Sequence, residues 1–230
     1  KEYAKITAKP RYTGTYINKY GETCSYAYSD GAKTVSEATE WFLVEPIVWR
    51  VLSSSDGGYQ LLADRLLDVS CYYDGTYVRR GEDGEDVYPN NYKESTIRAY
   101  LNGTFLNTVF TEVQRNAILT TIVDNTASKT YACENTEDQI YLLSYSEAFR
   151  DSYFSGDVSR IATVTDYAVA KGASTSDSVG YAGSWWLRSP YAFDDIVAFL
   201  VPSNGSDYGS DYFVNAVSCI RPALWLNLGE

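Results

Sequence analysis

Apolar and polar positions in the first third of the chain follow the pattern of short strands joined by turns. Residues 42–52 form an apolar run that Pro46 divides, and residues 59–63 form a second apolar run after an Asp-Gly-Gly turn. Two such runs separated by a turn predict a β-hairpin. Residues 139–143 predict one further strand, which is buried because four of its five positions are apolar.

Helical spacing begins near residue 95. Ile97 and Leu101 are four positions apart and share one face of a predicted helix, and Gly103 is its predicted stop. Further short helices are predicted by the capping-box sequences Thr111–Gln114 and Ser144–Glu147, and by residues 165–171 ahead of Gly172.

From residue 174 onward the chain is rich in Ser, Gly, Asp, Tyr and Val, which is typical of short strands and frequent turns. Nothing resembling a linker separates this part from the rest. The sequence therefore predicts an α+β fold in which a few short helices pack on a mostly antiparallel, twisted sheet. Residues 1–43 are interpreted as an N-terminal β-rich segment integral to the domain that follows at 44–230.

Composition narrows the chemistry. The chain of 230 residues contains no His, which excludes Ser-His-Asp and Cys-His catalysis and most catalytic zinc sites. The net charge of -11 argues against nucleic acid as a partner, because an acidic chain repels phosphate. No apolar run of about 18 residues is present, so no membrane insertion is expected. Since the chain opens at Lys1 and contains no Met, we expect it to be part of a longer precursor.

The candidate cofactor ligands are weak. Cys24, Cys71, Cys133 and Cys219 are too far apart for a CxxC motif, so we expect free thiols or a single structural bridge. The acidic run at residues 82–86 lacks the alternation of an EF-hand loop and is interpreted as a solvated loop. We therefore expect no cofactor and no metal.

Two apolar segments enclose a polar and aromatic one near the C-terminus. Residues 185–190 (WWLRSP) and 220–226 (IRPALWL) are typical of core strands, in which a buried carboxylate could satisfy the cation. The stretch between them mixes Tyr, Phe, Asp, Ser, Asn and Gly without a period. Binding surfaces use these residue types, although a twisted sheet with wet loops uses them too.

A codon pattern supports the first interpretation. Residues 191–220 contain no Lys, Glu, Gln, Trp or Met, all of which need a purine in the third codon position. Randomising the two adenines of an AAC-type codon gives the residue types that are present. In a stretch this short, chance gives the same absence.

Several ordered motifs resemble a bacterial domain family of unknown function. They are WRVL at 49–52, STIRAYLN at 95–102, DQIYLLS at 138–144, WWLRSP at 185–190 and IRPAL at 220–224. This family is similar to the C-type lectin fold of formylglycine-generating enzymes. It includes variable proteins of diversity-generating retroelements, in which a reverse transcriptase copies a template with adenine errors into the 3′ end of the gene.

The resemblance implies that residues 185–228 form the variable region of a C-type-lectin-like domain. The side chains that it implies as ligand-binding and diversified are Tyr191, Ala192, Phe193, Asp194, Asp195, Ile196, Ser206, Asp207, Tyr208, Asp211, Tyr212, Asn215, Ala216, Val217 and Ser218. The chain lacks the Glu-Pro-Asn loop of calcium-dependent lectins, since Ile47 follows Glu45-Pro46. It also lacks the cysteine pair of the formylglycine-generating site, because Cys219 has no neighbouring Cys.

The sequence thus favours a non-enzymatic variable protein that binds an unknown macromolecular ligand, either a protein or a cell-surface glycan. We expect it on a bacterial cell surface, outside the cell, or on a phage particle. One alternative is a non-variable bacterial adhesin or carbohydrate-binding module with the same fold. A second alternative is a glycoside hydrolase that uses two carboxylates, with Asp194 or Asp195 as one of them.

Overall fold

Strands, most of them antiparallel, make up the larger part of the regular secondary structure in this protein, whose computed structural model describes residues 3–8, 16–17, 23–24, 38–55, 57–127, 130–149 and 153–227. The strands are β1 (Tyr3–Ala8), β2 (Tyr16–Ile17), β3 (Thr23–Cys24), β4 (Ala38–Leu43), β5 (Trp49–Ser55), β6 (Gly58–Ala63), β7 (Asp68–Cys71), β8 (Arg79–Arg80), β9 (Asp86–Val87), β10 (Ile118–Leu119), β11 (Thr121–Val123), β12 (Thr136–Asp138), β13 (Trp185–Pro190), β14 (Val197–Val201), β15 (Asp211–Phe213), β16 (Val217–Ile220) and β17 (Ala223–Leu226).

The helices are short. They are α1 (Thr96–Tyr100), α2 (Leu106–Val109), α3 (Glu112–Ala117), α4 (Tyr145–Phe149), α5 (Asp157–Arg160) and α6 (Asp166–Ala170), with a π-helical segment at Leu101–Phe105 and a 3-10 turn at Asp177–Val179. None of the helices in the described part of the chain has the length and apolarity that a membrane crossing requires.

Two larger sheets organise these elements. One has the order β15-β14-β13-β16-β7, and the other has the order β10-β17-β6-β5. Within the first sheet β13 and β16 run parallel, whereas its other neighbouring strands run antiparallel. The fold is therefore α+β with mostly antiparallel sheets, as predicted.

The core lies around β13. Trp185, Trp186 and Leu187 are fully buried, and they belong to one hydrophobic cluster with the buried side chains of β6, β17 and α1. Arg188 is buried beside them, and its cation is satisfied by the Glu147 carboxylate and by the Leu142 carbonyl. This confirms the predicted scaffold role of residues 185–190, including a carboxylate partner for the arginine.

Arg221 is satisfied differently from the expectation. Its guanidinium donates to the carbonyl oxygens of Ala63 and Arg160 and lies 4.9 Å from the centre of the Trp185 ring. Burial and, to a lesser degree, the nearby Arg50 cation lower the pKa of Arg221 to about 9, and the Asp64 carboxylate offsets only part of the two effects. Backbone dipoles and an aromatic face thus replace the expected carboxylate.

Most local predictions are confirmed. Strands β5 and β6 pair antiparallel. Pro46 lies in the gap between β4, which ends at Leu43, and β5, which begins at Trp49, so it divides the apolar run as predicted. The Thr111 capping box has both of its hydrogen bonds. Ser144 and Glu147 exchange the same pair of bonds at the start of α4.

Two local predictions are wrong. Gly103 does not stop the first helix, which continues through the π-helical segment into α2, because buried Phe105 and Leu106 hold the chain helical beyond it. Residues 139–143 are mostly buried but form no regular strand. Within them only Tyr141 pairs, in an isolated bridge to Ala223.

Candidate ligand-binding surface

The predicted ligand-binding positions lie on three turns of the five-stranded sheet and on two of its strands, β15 and β16. Residues 191–196 connect β13 to β14, residues 202–210 connect β14 to β15, and residues 214–216 connect β15 to β16. Among the aromatic candidates, Phe193 is 84% exposed, Tyr208 93% and Tyr212 49%, and the adjacent Phe213, which was not a candidate, is 53% exposed.

A row of aromatic rings joins the first two turns across one face of the sheet. The Tyr191 ring centre lies 5.5 Å from that of Phe193 and 5.4 Å from that of Phe199. Phe199 lies 4.4 Å from Tyr145, whose hydroxyl donates to Asp207 over 2.6 Å. Positions 191, 193 and 207 are therefore brought together through two aromatic residues that the sequence analysis did not select.

Strand β15 adds side chains to both faces. Asp211 pairs with Phe199 and therefore projects on the side of the aromatic row, and Phe213 follows it by two positions. Tyr212 projects on the opposite side, where its ring lies 6.4 Å from Trp186.

The last two candidates are separated from this group. Val217 and Ser218 lie on β16, which stands on the far side of β13 from β14 and β15. Ser218 is only 8% exposed, and its hydroxyl donates to the Ser184 carbonyl. The prediction that the Ser218 side chain faces a ligand is therefore wrong, since this side chain is buried where β16 pairs with β7.

Asn90 holds the backbone of the first turn. This side chain is fully buried, and its Nδ2 donates to the carbonyl oxygens of Tyr191 (3.4 Å), Asp194 (3.0 Å) and Val197 (3.1 Å). Its backbone N–H donates to the Asp195 carbonyl over 3.0 Å. All four bonds end on main-chain oxygens, so they fix the turn without depending on which side chains it carries.

The other two turns are anchored in the same manner. Arg160 donates from Nε to the Gly205 carbonyl over 2.8 Å. Val214 donates its N–H to the Ile196 carbonyl and accepts a bond from the N–H of Tyr73. Residues outside the predicted variable positions therefore hold each turn by its backbone.

Gly205 shows how tightly one turn is seated. Its φ of 76° is left-handed, and a Cβ built there would lie 2.0 Å from the Asp157 carbonyl oxygen. Gly209, in the same turn, has a φ of 73° but no atom within 4 Å of such a Cβ. The turn is thus pressed against the framework at Gly205 and open at Gly209.

Two tyrosines flank the first turn. The rings of Tyr88 and Tyr131 lie 4.9 Å apart in an edge-to-face arrangement. Partial burial, followed by the nearby carboxylate of Asp195, raises the pKa of Tyr131 above its ordinary value. The tyrosine pair and the acidic end of the turn therefore share one neighbourhood.

The three cysteines whose side chains the structure describes are not activated nucleophiles. Cys71, Cys133 and Cys219 are free thiols, and burial raises the pKa of all three, that of Cys219 to about 12. They are therefore protonated and poorly nucleophilic at neutral pH. Within the described ranges no group of three or more Cys, Asp or Glu side chains is placed to hold a metal ion.

The hydrolase alternative names Asp194 or Asp195 as one of its two carboxylates, and both make local contacts in the first turn. Asp194 Oδ1 accepts the N–H of Ile196 within the turn, and Asp195 lies beside Tyr131. A cavity next to the turn, lined by Asn125, Arg188 and Pro190 among others, has a volume of about 10 Å³. That volume accommodates one water molecule rather than a sugar.

Sequence reasoning missed Asn90, Tyr145 and Phe199. Asn90 lies in a Pro-Asn-Asn run, and nothing local separates an exposed turn asparagine from one that binds a strand connection 100 residues away. A strand over residues 197–201 places Phe199 on the opposite face from Ala198 and Leu200, but all five residues are apolar, so the pattern does not indicate which face is exposed.

A family model described as a domain of unknown function, DUF6273, matches residues 57–228. The matched range includes both larger sheets except β5, and all three turns of the candidate surface. No curated protein and no solved structure shows significant similarity to the chain.

Proposed function

This chain belongs to the DUF6273 family of domains of unknown function, and we propose that it is a variable ligand-binding protein on a C-type-lectin-like scaffold. Because the family description names no function, support for the proposal comes from the surface of the chain itself. The candidate side chains bind a macromolecular ligand, and the rest of the domain is a rigid frame. In this proposal a diversity-generating retroelement supplies the variation.

One observation carries the proposal. The three turns are held by hydrogen bonds to their main-chain atoms, from Asn90, Arg160 and Tyr73, while the aromatic side chains of Phe193 and Tyr208 on the first two turns face solvent. A turn fixed through its backbone keeps its shape when its side chains change. Exposed aromatic anchors among small polar residues are also the side chains that dominate binding energy at interfaces.

Replacement of the exposed aromatic set tests the structural half of the proposal. Changing Phe193, Tyr208, Tyr212 and Phe213 together to Ser is expected to cost no more than about 2 kcal/mol, because exposed substitutions are usually within about 0.5 kcal/mol each. Changing Phe199 to Ser, which removes one half-buried ring from the aromatic row, is the matched control and is expected to cost more than the whole exposed set. Urea unfolding measures both, and the reverse order would contradict the proposal.

The proposed role of the retroelement can be tested by inspecting the gene and the sequence around it. A second copy of the 3′ end of the gene is expected near a reverse transcriptase gene, with mismatches only where the template has adenine. Mismatches spread over all four bases, or no second copy, would leave a fixed adhesin or carbohydrate-binding module as the better description of the same surface.

A further inference from the structure

The candidate surface carries carboxylates and no cations. Between residues 191 and 220 the acidic residues are Asp194, Asp195, Asp207 and Asp211, and this stretch has no Lys, Arg or Glu. In the described ranges none of these four carboxylates takes part in an ion pair. The surface therefore has a local charge of -4 that the segment itself does not neutralise.

The internal bonds of these carboxylates leave capacity for a ligand. Asp194 accepts one backbone N–H, and Asp207 accepts the Tyr145 hydroxyl and, over 3.5 Å, the Ser210 hydroxyl. Asp211 is exposed on β15. An ionised carboxylate has about four acceptor positions, so each of them retains about half or more of its hydrogen-bonding capacity.

The neighbouring arginines are occupied elsewhere. Arg188 is buried with Glu147, and Arg160 is held by Asp157 and by the Gly205 carbonyl. Arg79 lies 4.6 Å from the centre of the Tyr73 ring. In the described ranges none of these guanidinium groups forms an ion pair with the four aspartates.

Exposed aromatic faces alternate with these charges. Phe193 directly precedes Asp194, Tyr208 directly follows Asp207, and Phe213 lies two residues beyond Asp211. An aromatic face beside a carboxylate suits a guanidinium or ammonium group, because the ring quadrupole attracts the cation and the carboxylate pairs with its N–H groups. A neutral sugar can also donate its hydroxyls to these carboxylates, but only a cation gains the Coulombic attraction of four charges that the segment does not neutralise, and anionic glycans are repelled by them.

From this we infer that the surface binds a cationic protein segment, whose Arg and Lys side chains lie on Phe193, Tyr208 and Phe213 and pair with Asp194, Asp195 and Asp211. This inference rests on the proposed function, since it names the partner of the same surface. Tyr88 and Tyr131 extend the contact beyond the variable positions.

Binding of a dye-labelled 12-residue peptide of alternating Arg and Gly tests the inference. Fluorescence anisotropy compares it with a Glu-Gly peptide, a Ser-Gly peptide and a panel of neutral oligosaccharides. Asp194→Asn, Asp195→Asn and Asp211→Asn together are expected to weaken binding of the Arg peptide at least tenfold. Phe193→Ser with Tyr208→Ser is expected to weaken it severalfold.

A matched triple variant removes the same total charge elsewhere. Its substitutions are Glu112→Gln on α3, Glu137→Gln on β12 and Asp177→Asn in the 3-10 turn, and all three positions are exposed. This variant is expected to change binding less than twofold. Equal losses in the two triple variants would overturn the inference, because the peptide would then respond only to net charge.

Preference for an oligosaccharide over the Arg peptide would also overturn it, while leaving the proposed binding function intact. If the Arg peptide binds and the gene has no second copy of its 3′ end, the cationic partner is retained and the retroelement is rejected. The two proposals therefore fail through different measurements.

Discussion

Asn90 offers the sharpest test of how the candidate surface is built. Replacement by Ala removes the Nδ2 bonds to the carbonyl oxygens of Tyr191, Asp194 and Val197, while the backbone bond from residue 90 to Asp195 remains. One of the three lost bonds is long, and Val197 keeps a second donor in the N–H of Tyr191. The loss therefore amounts to about two good bonds, and the part-buried carbonyl of Asp194 is left unsatisfied.

At about 1 kcal/mol for each net bond, with a further penalty for the unsatisfied carbonyl, Asn90→Ala is expected to cost about 2–4 kcal/mol. For a chain of this size that loss corresponds to a fall in Tm of roughly 5–12 °C. Asn90→Asp is expected to cost more, because a carboxylate of nearly the same shape faces three carbonyl oxygens and donates nothing.

Urea unfolding gives the free energies, and hydrogen exchange locates the damage. The amides of Tyr191 and Val214, which bond within or to the first turn, are expected to lose protection first. Asn91→Ala is the matched control, because Asn91 is only partly buried and accepts a single bond, from the N–H of Glu94. A cost for Asn90→Ala no greater than that for Asn91→Ala would refute the anchoring role of Asn90.

Three further predictions follow from features of the framework. Gly205→Ala is expected to cost roughly 2–5 kcal/mol in urea unfolding, since it adds a steric clash to left-handed strain, whereas Gly209→Ala carries the strain alone at about 1–2 kcal/mol; equal costs would contradict the seating of the turn. Arg188→Met is expected to cost about 3–5 kcal/mol because it leaves Glu147 without its cation, and Glu147→Gln, which keeps the cap of α4, is expected to cost less; the reverse order would contradict the pairing. The raised pKa of Cys219 means that its thiol stays protonated in the folded chain while the unfolded thiol ionises. The contribution of this thiol to the free energy of unfolding is therefore complete below about pH 9 and falls by up to about 1.4 kcal/mol per pH unit towards pH 12. Cys219→Ala is expected to lessen this slope, and an unchanged slope would contradict the burial of the thiol.

Local signals predicted the elements whose determinants lie within a few residues. The β5–β6 hairpin and the capping box at Thr111 were predicted because alternation and capping pairs act over short distances. The stop at Gly103 was wrong because its glycine costs only about 1 kcal/mol in a helix, which burial of Phe105 and Leu106 outweighs. Tertiary packing therefore determines where that helix ends, and a local sequence pattern does not show this packing.

The candidate surface was predicted in part for a related reason. Exposed aromatics such as Phe193 and Tyr208 occur in a segment whose composition already suggested a surface. Ser218 was misplaced because the ladder with β7, not the composition, sets the direction of its side chain. Asn90 and Tyr145 escaped notice since each contacts the surface from more than 60 residues away.

Strand β15 limits how freely such a surface can change. It is three residues long, and in the described part of the chain it pairs on one side only, with β14. An unpaired strand edge can template the addition of a strand from another molecule, and an apolar edge promotes aggregation. The brevity of β15, with Asp211 at its start, keeps that hazard small for this sequence. A variant that replaced Asp211 by an apolar residue would gain contact area at the cost of solubility, so the edge of the sheet restricts which ligand-binding variants avoid aggregation.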